Sequence, residues 1–244
     1  MTAPALELVS VTAGYGDNPI VRDFSARLQA GSITTLIGGN GAGKSTLLRA
    51  IYGTNRFFSG QIVFKDRTIE RLPPWERLKL GVGFVPQGRC NFAAMSVGEN
   101  LKMGCYTLRQ ARHDAAIARV TSLFPMLERK WRTEAGNLSG GEQQILEMAM
   151  VMLVEPRLLL LDEPSLGLSP KMQGEVFVTV QRIAAEGVTV LIVEQNVRGA
   201  LLISDRALVM EQGRLFMEGP AEEVRTDPRI RQAYLGGNIH QTVA

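Results

Sequence analysis

The chain has 244 residues, which allows one large domain or two small ones and is enough to bury a core without disulfide or metal staples. Its 27 basic and 24 acidic side chains give a net charge of +3, too small an excess to indicate nucleic-acid binding by itself. The 2 cysteines cannot form a disulfide framework or a four-cysteine zinc site, and the 2 histidines argue against a histidine-rich metal site. Residues 1–8 lack the pattern of a signal peptide, and no apolar run approaches the roughly 18–20 residues that cross a bilayer. We expect a reduced, cytoplasmic protein.

Apolar and β-branched runs dominate the first 85 residues and predict a β-rich start. Strands are predicted at 6–11, 24–28, 32–37, 61–64, 67–69 and 82–85, and helices at 44–52 and 73–80. Lys65-Asp66 is the predicted turn of a hairpin between the fourth and fifth of these strands.

From about residue 95 to 155 the pattern becomes helical. Ser96-x-x-Glu99 and Ser139-x-x-Glu142 are capping boxes that predict two helix starts, and 109–124 is amphipathic. Strands return at 158–161, 188–193, 207–210 and 215–217, with helices at 170–186, from 194 to about 202, and at 227–235. The order predicts a β-rich start that leads into an α/β core, and the core is interrupted by a helical insertion.

The strongest motif is Gly38-x-x-x-x-Gly43-Lys44-Ser45, which lies between a predicted strand and a predicted helix. Glycines let successive backbone N–H groups point at phosphate oxygens, and the helix that follows presents its positive end. Lys44 is expected to reach the β- and γ-phosphates, and the Ser45 hydroxyl to ligate Mg²⁺. The residues expected to bind the phosphates are Gly38, Gly39, Asn40, Gly41, Ala42, Gly43, Lys44, Ser45 and Thr46. The alternative is an ordinary glycine turn beside a lysine.

Two carboxylates, Asp162 and Glu163, follow the apolar run at 158–161. A buried parallel strand delivers its carboxyl end to the ligand crevice of an α/β sheet. Asp162 is expected to hold Mg²⁺ through a water, and Glu163 to accept a proton from the attacking water. Because adjacent residues of a strand point to opposite faces, we predict different roles for the two. A solvated turn is the alternative, and the phosphate-loop motif upstream argues against it.

Asn137-Leu-Ser-Gly-Gly-Glu-Gln-Gln144 resembles the LSGGQ signature of ABC ATPases, the nucleotide-binding subunits of ABC transporters. The resemblance covers essentially the whole chain and includes the phosphate loop, Gln87, the signature and the Asp-Glu pair in the family's order. It implies an α/β P-loop NTPase fold of the ABC ATPase type in a single domain, 1–244. Such a fold has a mostly parallel core sheet, an antiparallel β subdomain and a helical insertion. The core would be about 1–87 and 156–244, and the helical subdomain about 88–155, ending in the signature helix.

The resemblance also implies roles for individual residues. Tyr15 would stack on adenine, and Gln87 would sense Mg²⁺ and the γ-phosphate and link them to the helical insertion. Ser139, Gly140 and Gly141 would contact ATP bound to the other subunit, as expected for the positive end of a helix that Ser139 caps. Taken alone, Tyr15 is compatible with a packing aromatic and Ser139 with an ordinary helix cap.

Two positions depart from the family pattern. Most members have a histidine after the strand that follows the catalytic glutamate, and here Gln195 is aligned with it. A glutamine amide can donate a hydrogen bond to the γ-phosphate but cannot carry a proton at neutral pH. We therefore expect turnover with Glu163 as base and no pH step from a switch histidine. Ser169 stands where many relatives have aspartate, which puts cross-subunit coupling through a carboxylate there in question.

Four short segments narrow the resemblance to the LivF-type ATPase subunits of branched-chain amino-acid importers. They are 85–89, 163–168, 193–196 and 233–237. The resemblance implies an ATP hydrolase that uses ATP and Mg²⁺ to power an importer of branched-chain or other hydrophobic amino acids. The alternatives are a urea or short-chain amide importer, a non-transport ABC ATPase, and a nucleotide-binding module without turnover.

The same resemblance implies the partners. They are a second copy or a paralogous ATPase, transmembrane permease subunits and, indirectly, a periplasmic or extracellular solute-binding protein, with no nucleic acid. The chain would sit peripherally on the cytoplasmic face of the inner or cell membrane. Residues 88–95, expected near the membrane-subunit contact, depart from the family's usual sequence there.

Overall fold

Two β-sheets form the framework of the computed structural model, which describes residues 4–234. The strands are β1 (Pro4–Tyr15), β2 (Asn18–Gln29), β3 (Ile33–Ile37), β4 (Arg56–Phe64), β5 (Arg67–Thr68), β6 (Val82–Val85), β7 (Leu158–Asp162), β8 (Thr189–Val193), β9 (Arg206–Glu211) and β10 (Arg214–Pro220). Six form the central sheet in the order β10-β9-β3-β8-β7-β6, in which only the β9–β10 pair is antiparallel. The other four form an antiparallel sheet, β2-β1-β4-β5. The predicted fold class is confirmed.

Ten α-helices accompany the sheets in the described part of the chain. They are α1 (Lys44–Tyr52), α2 (Pro74–Leu80), α3 (Val97–Gly104), α4 (His113–Leu123), α5 (Pro125–Arg129), α6 (Gly140–Met152), α7 (Pro170–Ala185), α8 (Val197–Ile203), α9 (Ala221–Thr226) and α10 (Pro228–Tyr234). Helices α3 to α6 lie between β6 and β7 in the chain, where the helical insertion was predicted. Among residues 4–234, no helix is both long and apolar enough to pass through a membrane.

The parallel strands of the central sheet bring the predicted site residues to one edge. Every residue of β3, β7 and β8 is buried, which explains why these strands consist mainly of apolar and β-branched residues. Because parallel strands share an orientation, their carboxyl ends meet at the same edge of the sheet. The phosphate loop follows β3, Gln87 follows β6, Asp162 ends β7, and Gln195 follows β8. The fold therefore gathers segments that lie far apart in the sequence.

The first two strands are longer than predicted. The hydrophobic alternation predicted 6–11 and 24–28, whereas β1 and β2 each have 12 residues. Ser10 (φ 48°) and Asp23 (φ 51°) have left-handed backbone, and the register between the two strands shifts at several points. Such irregularities break the period-2 pattern and hide the strand ends from sequence inspection.

Other element boundaries also differ in detail. The predicted helix 109–124 is a short 3₁₀ turn at Gln110–Arg112 followed by α4. Helix α9 was not predicted, because its six residues are too few for a clear 3.6-residue period. The helix predicted at 227–235 is α10. Its predicted last residue, and the end of the 233–237 segment, lie outside the described residues. The turn at Lys65-Asp66 is confirmed, with φ values of 48° and 63°.

Arg77 of α2 fixes the far end of α1. The residue is only 2% exposed, and its Nη1 donates to the carbonyls of Ala50 (2.7 Å) and Ile51 (2.6 Å) near the end of α1. Its Nε and Nη2 donate to the carbonyls of Leu72 and Glu70, both at 2.8 Å. Burial lowers the pKa of Arg77 to about 10, although the nearby Glu70 charge opposes the shift. A cation that bonds the last carbonyls of a helix complements its dipole.

We predict that Arg77→Met lowers the free energy of unfolding by about 3–5 kcal/mol, because it leaves several buried carbonyl groups without donors. The measurement is urea unfolding followed by circular dichroism. Arg67→Met, at an exposed position of β5, is the matched control and is expected to change the free energy by less than about 0.5 kcal/mol. An effect of Arg77→Met as small as the control's would contradict the anchoring role.

Candidate functional site

The phosphate loop between β3 and α1 needs glycine at three of its four glycine positions. Gly41 (φ +79°) and Gly43 (φ +104°) have left-handed backbone, which side chains rarely adopt. A Cβ at Gly38 would lie 2.3 Å from the carbonyl oxygen of Met210 in β9. Gly39 has neither constraint, since a Cβ there would meet nothing within 4 Å. Packing against β9 and local turns thus define the loop's shape.

The phosphate loop leads into the N-terminus of α1, which has no side-chain cap. Residues 39–41 are exposed, whereas 42–44 and 46 are buried. Gly43 is the N-cap of α1 without a side-chain cap, and the first turn contains no acidic residue. The first N–H groups of the helix therefore have no intrahelical partner and are suited to bind an anion.

Lys44 lies over the loop that precedes it. Its Nζ donates to the carbonyl oxygens of Gly38 (2.9 Å) and Gly39 (3.1 Å). Burial lowers the pKa of Lys44, and the nearby Glu163 and Asp162 carboxylates oppose this shift. An ammonium group held against a glycine loop at a helix N-terminus can neutralise phosphate charge, as the sequence predicts.

Gly43→Ala and Gly39→Ala form a matched pair for testing the loop. At position 43 alanine would have to adopt the left-handed backbone that Gly43 has, and its Cβ would lie 3.2 Å from Met210 Cε. We expect Gly43→Ala to lower the free energy of unfolding by about 1–2 kcal/mol. Gly39→Ala is expected to change it by less than about 0.5 kcal/mol. Urea unfolding measures both, and equal effects would contradict the distinction.

Asp162 and Ser45 form a hydroxyl–carboxylate pair at the end of β7. Ser45 Oγ donates to Asp162 Oδ1 at 2.8 Å, and Asp162 Oδ2 is buried without a hydrogen-bond partner. Burial is the main cause that raises the pKa of Asp162, and the Glu163 charge adds to it. The bond from Ser45 and the charges of Arg49 and Lys44 act in the opposite direction.

An orphaned buried carboxylate oxygen beside a hydroxyl fits a bound cation. Oxygen ligands of this kind are those that Mg²⁺ uses when it is shared between a protein and substrate phosphates. Within residues 4–234, no group of three or more His, Cys, Asp or Glu side chains is arranged to hold a metal by itself. A metal at this site would therefore need ligands from a substrate or water as well as from Ser45 and Asp162.

Glu163 is held by two amides from neighbouring strand ends. Its Oε2 accepts from Gln87 Nε2 and from Gln195 Nε2, both at 3.0 Å. In the described part of the chain Oε1 has no protein hydrogen-bond donor. No general sequence motif identifies Gln195 as a site residue, and only the resemblance to ABC ATPases pointed to it. The structure places its side-chain amide directly against the Glu163 carboxylate. The clamp leaves one oxygen of Glu163 available to a water molecule.

Asp162 and Glu163 have different hydrogen-bond partners, but the reason differs from the one we predicted. Strand alternation was the expected reason, but β7 ends at Asp162. Glu163 has left-handed backbone (φ 53°), and its N–H donates to the carbonyl of Val193 at 2.9 Å. Such conformations cluster at functional sites because surrounding structure must hold them. The turn, rather than the pleat, directs Glu163 toward Gln87 and Gln195.

Tyr15 ends β1 beside α1. The residue is 43% exposed, and its hydroxyl accepts from Arg49 Nη1 at 3.0 Å. This contact was not predicted, since Arg49 lies outside the phosphate-loop motif. The hydrogen bond fixes an exposed aromatic face next to the helix that carries Lys44 and Ser45.

The signature segment starts α6 as predicted. Ser139 Oγ accepts from the N–H of Glu142 (3.4 Å), and the N–H of Ser139 donates to Glu142 Oε2 (2.9 Å). Ser139 and Gly140 are exposed, whereas a Cβ at Gly141 would lie 2.2 Å from Met172 Cε. Ser139 and Gly140 therefore offer an exposed helix N-terminus, whereas Gly141 is buried against Met172.

A cleft of about 530 Å³ adjoins the signature. Gly140 lines it together with Gln87, Glu163 and residues 166–168, whereas no residue of the phosphate loop does. Within one chain, Gly140 of the signature therefore lines the same cleft as Gln87 and Glu163, and the phosphate loop does not line this cleft.

Comparisons with known proteins show the family to which the chain belongs. The family model described as ABC transporter matches residues 21–166. The chain is 40% identical over 232 residues to the high-affinity branched-chain amino acid transport ATP-binding protein BraG of Pseudomonas aeruginosa, covering 95% of this chain and 100% of that protein. It is 38% identical over 232 residues to the probable branched-chain amino acid transport ATP-binding protein LivF of Archaeoglobus fulgidus, covering 95% and 98%. A crystal structure of the ADP conformation of an ATP-binding cassette of an ABC transporter superposes with a TM-score of 0.87 at 25% identity, covering 97% and 100%.

Proposed function

The chain belongs to the ABC transporter family as an ATP-hydrolysing, ATP-binding subunit, and from this premise we propose that it powers the import of branched-chain amino acids. The clamped Glu163 carboxylate beside the phosphate loop carries the catalytic part of the proposal. The substrate part rests on two relatives at 38–40% identity that share nearly the whole chain and are both named for branched-chain amino-acid transport. The chain acts as one domain, with residues 88–155 as its helical subdomain.

ATP would bind with its phosphates on residues 38–46 and its adenine against Tyr15. The loop's N–H groups, the positive end of α1 and Lys44 together neutralise charge that develops on the transferred γ-phosphoryl group. Glu163 accepts a proton from the attacking water at Oε1, because Oε2 is engaged by two amides. The clamp keeps the basic oxygen in one orientation throughout the reaction.

Ser45 and Asp162 would hold Mg²⁺, the latter through a water. The Nε2 of Gln87 is committed to Glu163, so its amide oxygen is the atom left to reach the metal. When bound, the ion withdraws charge from the β- and γ-phosphate oxygens. The orphaned Asp162 Oδ2 supports this assignment.

Gln195 would bridge Glu163 and the γ-phosphate. Its amide nitrogen carries two hydrogens, so one can bond Glu163 at 3.0 Å while the other bonds a phosphate oxygen. Unlike histidine, the amide does not titrate near neutral pH. Activity would therefore show no pH step from this position.

A second ATPase subunit, identical or paralogous, would complete each site. Ser139, Gly140 and Gly141 would contact ATP held by that subunit's phosphate loop, since the helix N-terminus they form is suited to an anion. Each pair of subunits would work at the cytoplasmic face of the membrane with permease subunits and, indirectly, a solute-binding protein.

Gln87 begins the path from the site to the helical insertion. It contacts Glu163, and the chain three residues later is tied to α6: Glu147 Oε1 accepts from Cys90 N–H and from Asn91 Nδ2, both at 2.8 Å. Movement at Glu163 would therefore be transmitted to α6 and to the exposed segment 88–95, where we place the permease contact.

Uptake by whole cells tests the proposal. Cells that lack this chain are complemented with wild type or with Glu163→Gln, and uptake of labelled leucine, urea and acetamide is measured. We expect wild type alone to restore leucine uptake. Restoration of urea or acetamide uptake instead would favour an amide importer, and no restored uptake would favour a non-transport ABC ATPase.

A further inference from the structure

Glu194, the residue before Gln195, is a buried carboxylate between two catalytic loops. It is 1% exposed and accepts from the N–H and the Oγ of Ser165, both at 2.8 Å, and from the N–H of Asn196 at 3.4 Å. Ser165 is itself 1% exposed and lies two residues after Glu163. One side chain thus joins the segment that follows Glu163 to the segment that contains Gln195.

These contacts belong to a closed ring of four residues: Ser165, Gln173, Glu194 and Asn196. Asn196 Nδ2 donates to Gln173 Oε1 at 2.8 Å, and Gln173 Nε2 donates to the carbonyl of Ser165 at 3.4 Å. Asn196 is the N-cap of α8, where it accepts from Gly199 N–H at 3.0 Å, and Gln173 lies in α7. The ring therefore fixes four elements relative to each other: the ends of β7 and β8 and the starts of α7 and α8.

The ring is poorly explained by stability alone. Within residues 4–234 no cation pairs with Glu194, and burial raises the pKa of this carboxyl while the Ser165 bonds oppose the shift. Burying an unpaired carboxylate is costly, and apolar side chains could join the same loops at lower cost. A fully bonded polar network instead selects one geometry among similar ones.

We propose that Glu194 is a positioning residue for ATP hydrolysis, which holds Glu163 and Gln195 in register through Ser165 and Asn196. The inference rests on the proposed roles of Glu163 and Gln195. The Gln195–Glu163 hydrogen bond of 3.0 Å spans the same two loops that the ring joins, so a shift of either loop would lengthen it. Glu194 has no hydrogen bond with the side-chain amide of Gln195 or with the carboxylate of Glu163, so its effect on that bond is indirect.

Two substitutions at Glu194 test the inference. Glu194→Ala removes the acceptors of three donors, and we expect kcat for ATP hydrolysis to fall by about 10- to 100-fold, with KM for ATP changing less than about 2-fold. In Glu194→Gln the amide oxygen can accept from Ser165 N–H and the amide nitrogen can donate to Ser165 Oγ. We expect this variant to stay within about 3-fold of the wild-type kcat. Ser165→Ala deletes only the hydrogen bond from Ser165 Oγ to Glu194, and we expect it to lower kcat by about 3-fold. This milder variant provides the test if Glu194→Ala does not fold.

A double-mutant cycle separates positioning from general destabilisation. If Glu194 acts through Gln195, the kcat of the double variant Glu194→Ala/Gln195→Ala should lie less than about 2-fold below that of Gln195→Ala alone. Asp205→Asn is the control, because Asp205 Oδ2 accepts from Ile33 N–H (2.8 Å) at the opposite edge of the sheet, and it should keep wild-type kcat. All assays are run where each variant is fully folded by circular dichroism.

Two outcomes overturn the inference without touching the proposed function. One is wild-type kcat in folded Glu194→Ala and Ser165→Ala while Glu163→Gln is inactive. The other is a double variant whose loss of kcat equals the product of the losses caused by Glu194→Ala and Gln195→Ala separately. If Glu163→Gln keeps wild-type activity, the proposed base is wrong and the positioning inference falls with it.

Discussion

Glu163→Gln is expected to lower kcat for ATP hydrolysis by about 10²–10⁴-fold while nucleotide affinity stays within about 3-fold of wild type. The glutamine oxygen can still accept from Gln87 and Gln195, which both donate to Oε2 at 3.0 Å, so the clamp is retained. What is lost is a carboxylate oxygen that can take a proton from water. Because ATP then persists, we expect the variant to accumulate as an ATP-bound dimer.

Phosphate release and gel filtration with ATP measure the two effects of this substitution. Glu175→Gln, at an exposed position of α7, changes the same charge away from the site and should behave as wild type. Wild-type phosphate release by Glu163→Gln would remove Glu163 from the role of base.

Lys44→Ala is expected to lower kcat/KM for ATP by about 10²–10³-fold. The ammonium is the only side-chain cation within the phosphate-loop motif, and Asp162 and Glu163 both act on it electrostatically. Removing it leaves phosphate charge to the backbone N–H groups and the end of α1 alone. Its hydrogen bonds to the carbonyls of Gly38 and Gly39 are lost as well.

Fluorescent-nucleotide binding and phosphate release together measure the effect of Lys44→Ala. Lys65→Ala, in the exposed hairpin turn, is the control and should match wild type in both. Tight nucleotide binding with undiminished turnover in Lys44→Ala would show that the loop does not hold the phosphates as we propose.

The order of strands and helices could be predicted because each element carries a local signal. The fully buried strands β3, β7 and β8 consist mainly of apolar and β-branched residues. The two capping boxes mark the starts of α3 and α6, and their side chains form the expected hydrogen bonds. The ends of β1 and β2 could not be predicted, because Ser10 and Asp23 interrupt the alternation within the strands. A left-handed residue within a strand has no fixed sequence signature outside glycine.

The contacts among distant segments are also beyond sequence inspection. The phosphate loop and the Asp162-Glu163 pair form recognisable patterns, whereas the two-amide clamp joins residues 76 and 32 positions from Glu163. The hydrogen bonds from Arg49 to Tyr15 and from Ser165 to Glu194 likewise join residues that lie far apart in the sequence. The parallel sheet brings Gln87, Glu163 and Gln195 together at one edge, whereas Tyr15 reaches Arg49 of α1 from the antiparallel sheet.

The structure of Glu163→Gln with ATP and Mg²⁺ tests the central assignment most directly. We predict phosphates on the backbone N–H groups of residues 38–46, the metal at Ser45 beside Asp162, and adenine on Tyr15. We also expect Ser139 of a second ATPase subunit to face the γ-phosphate. Phosphates bound away from the loop, or a γ-phosphate out of reach of residue 163, would contradict it.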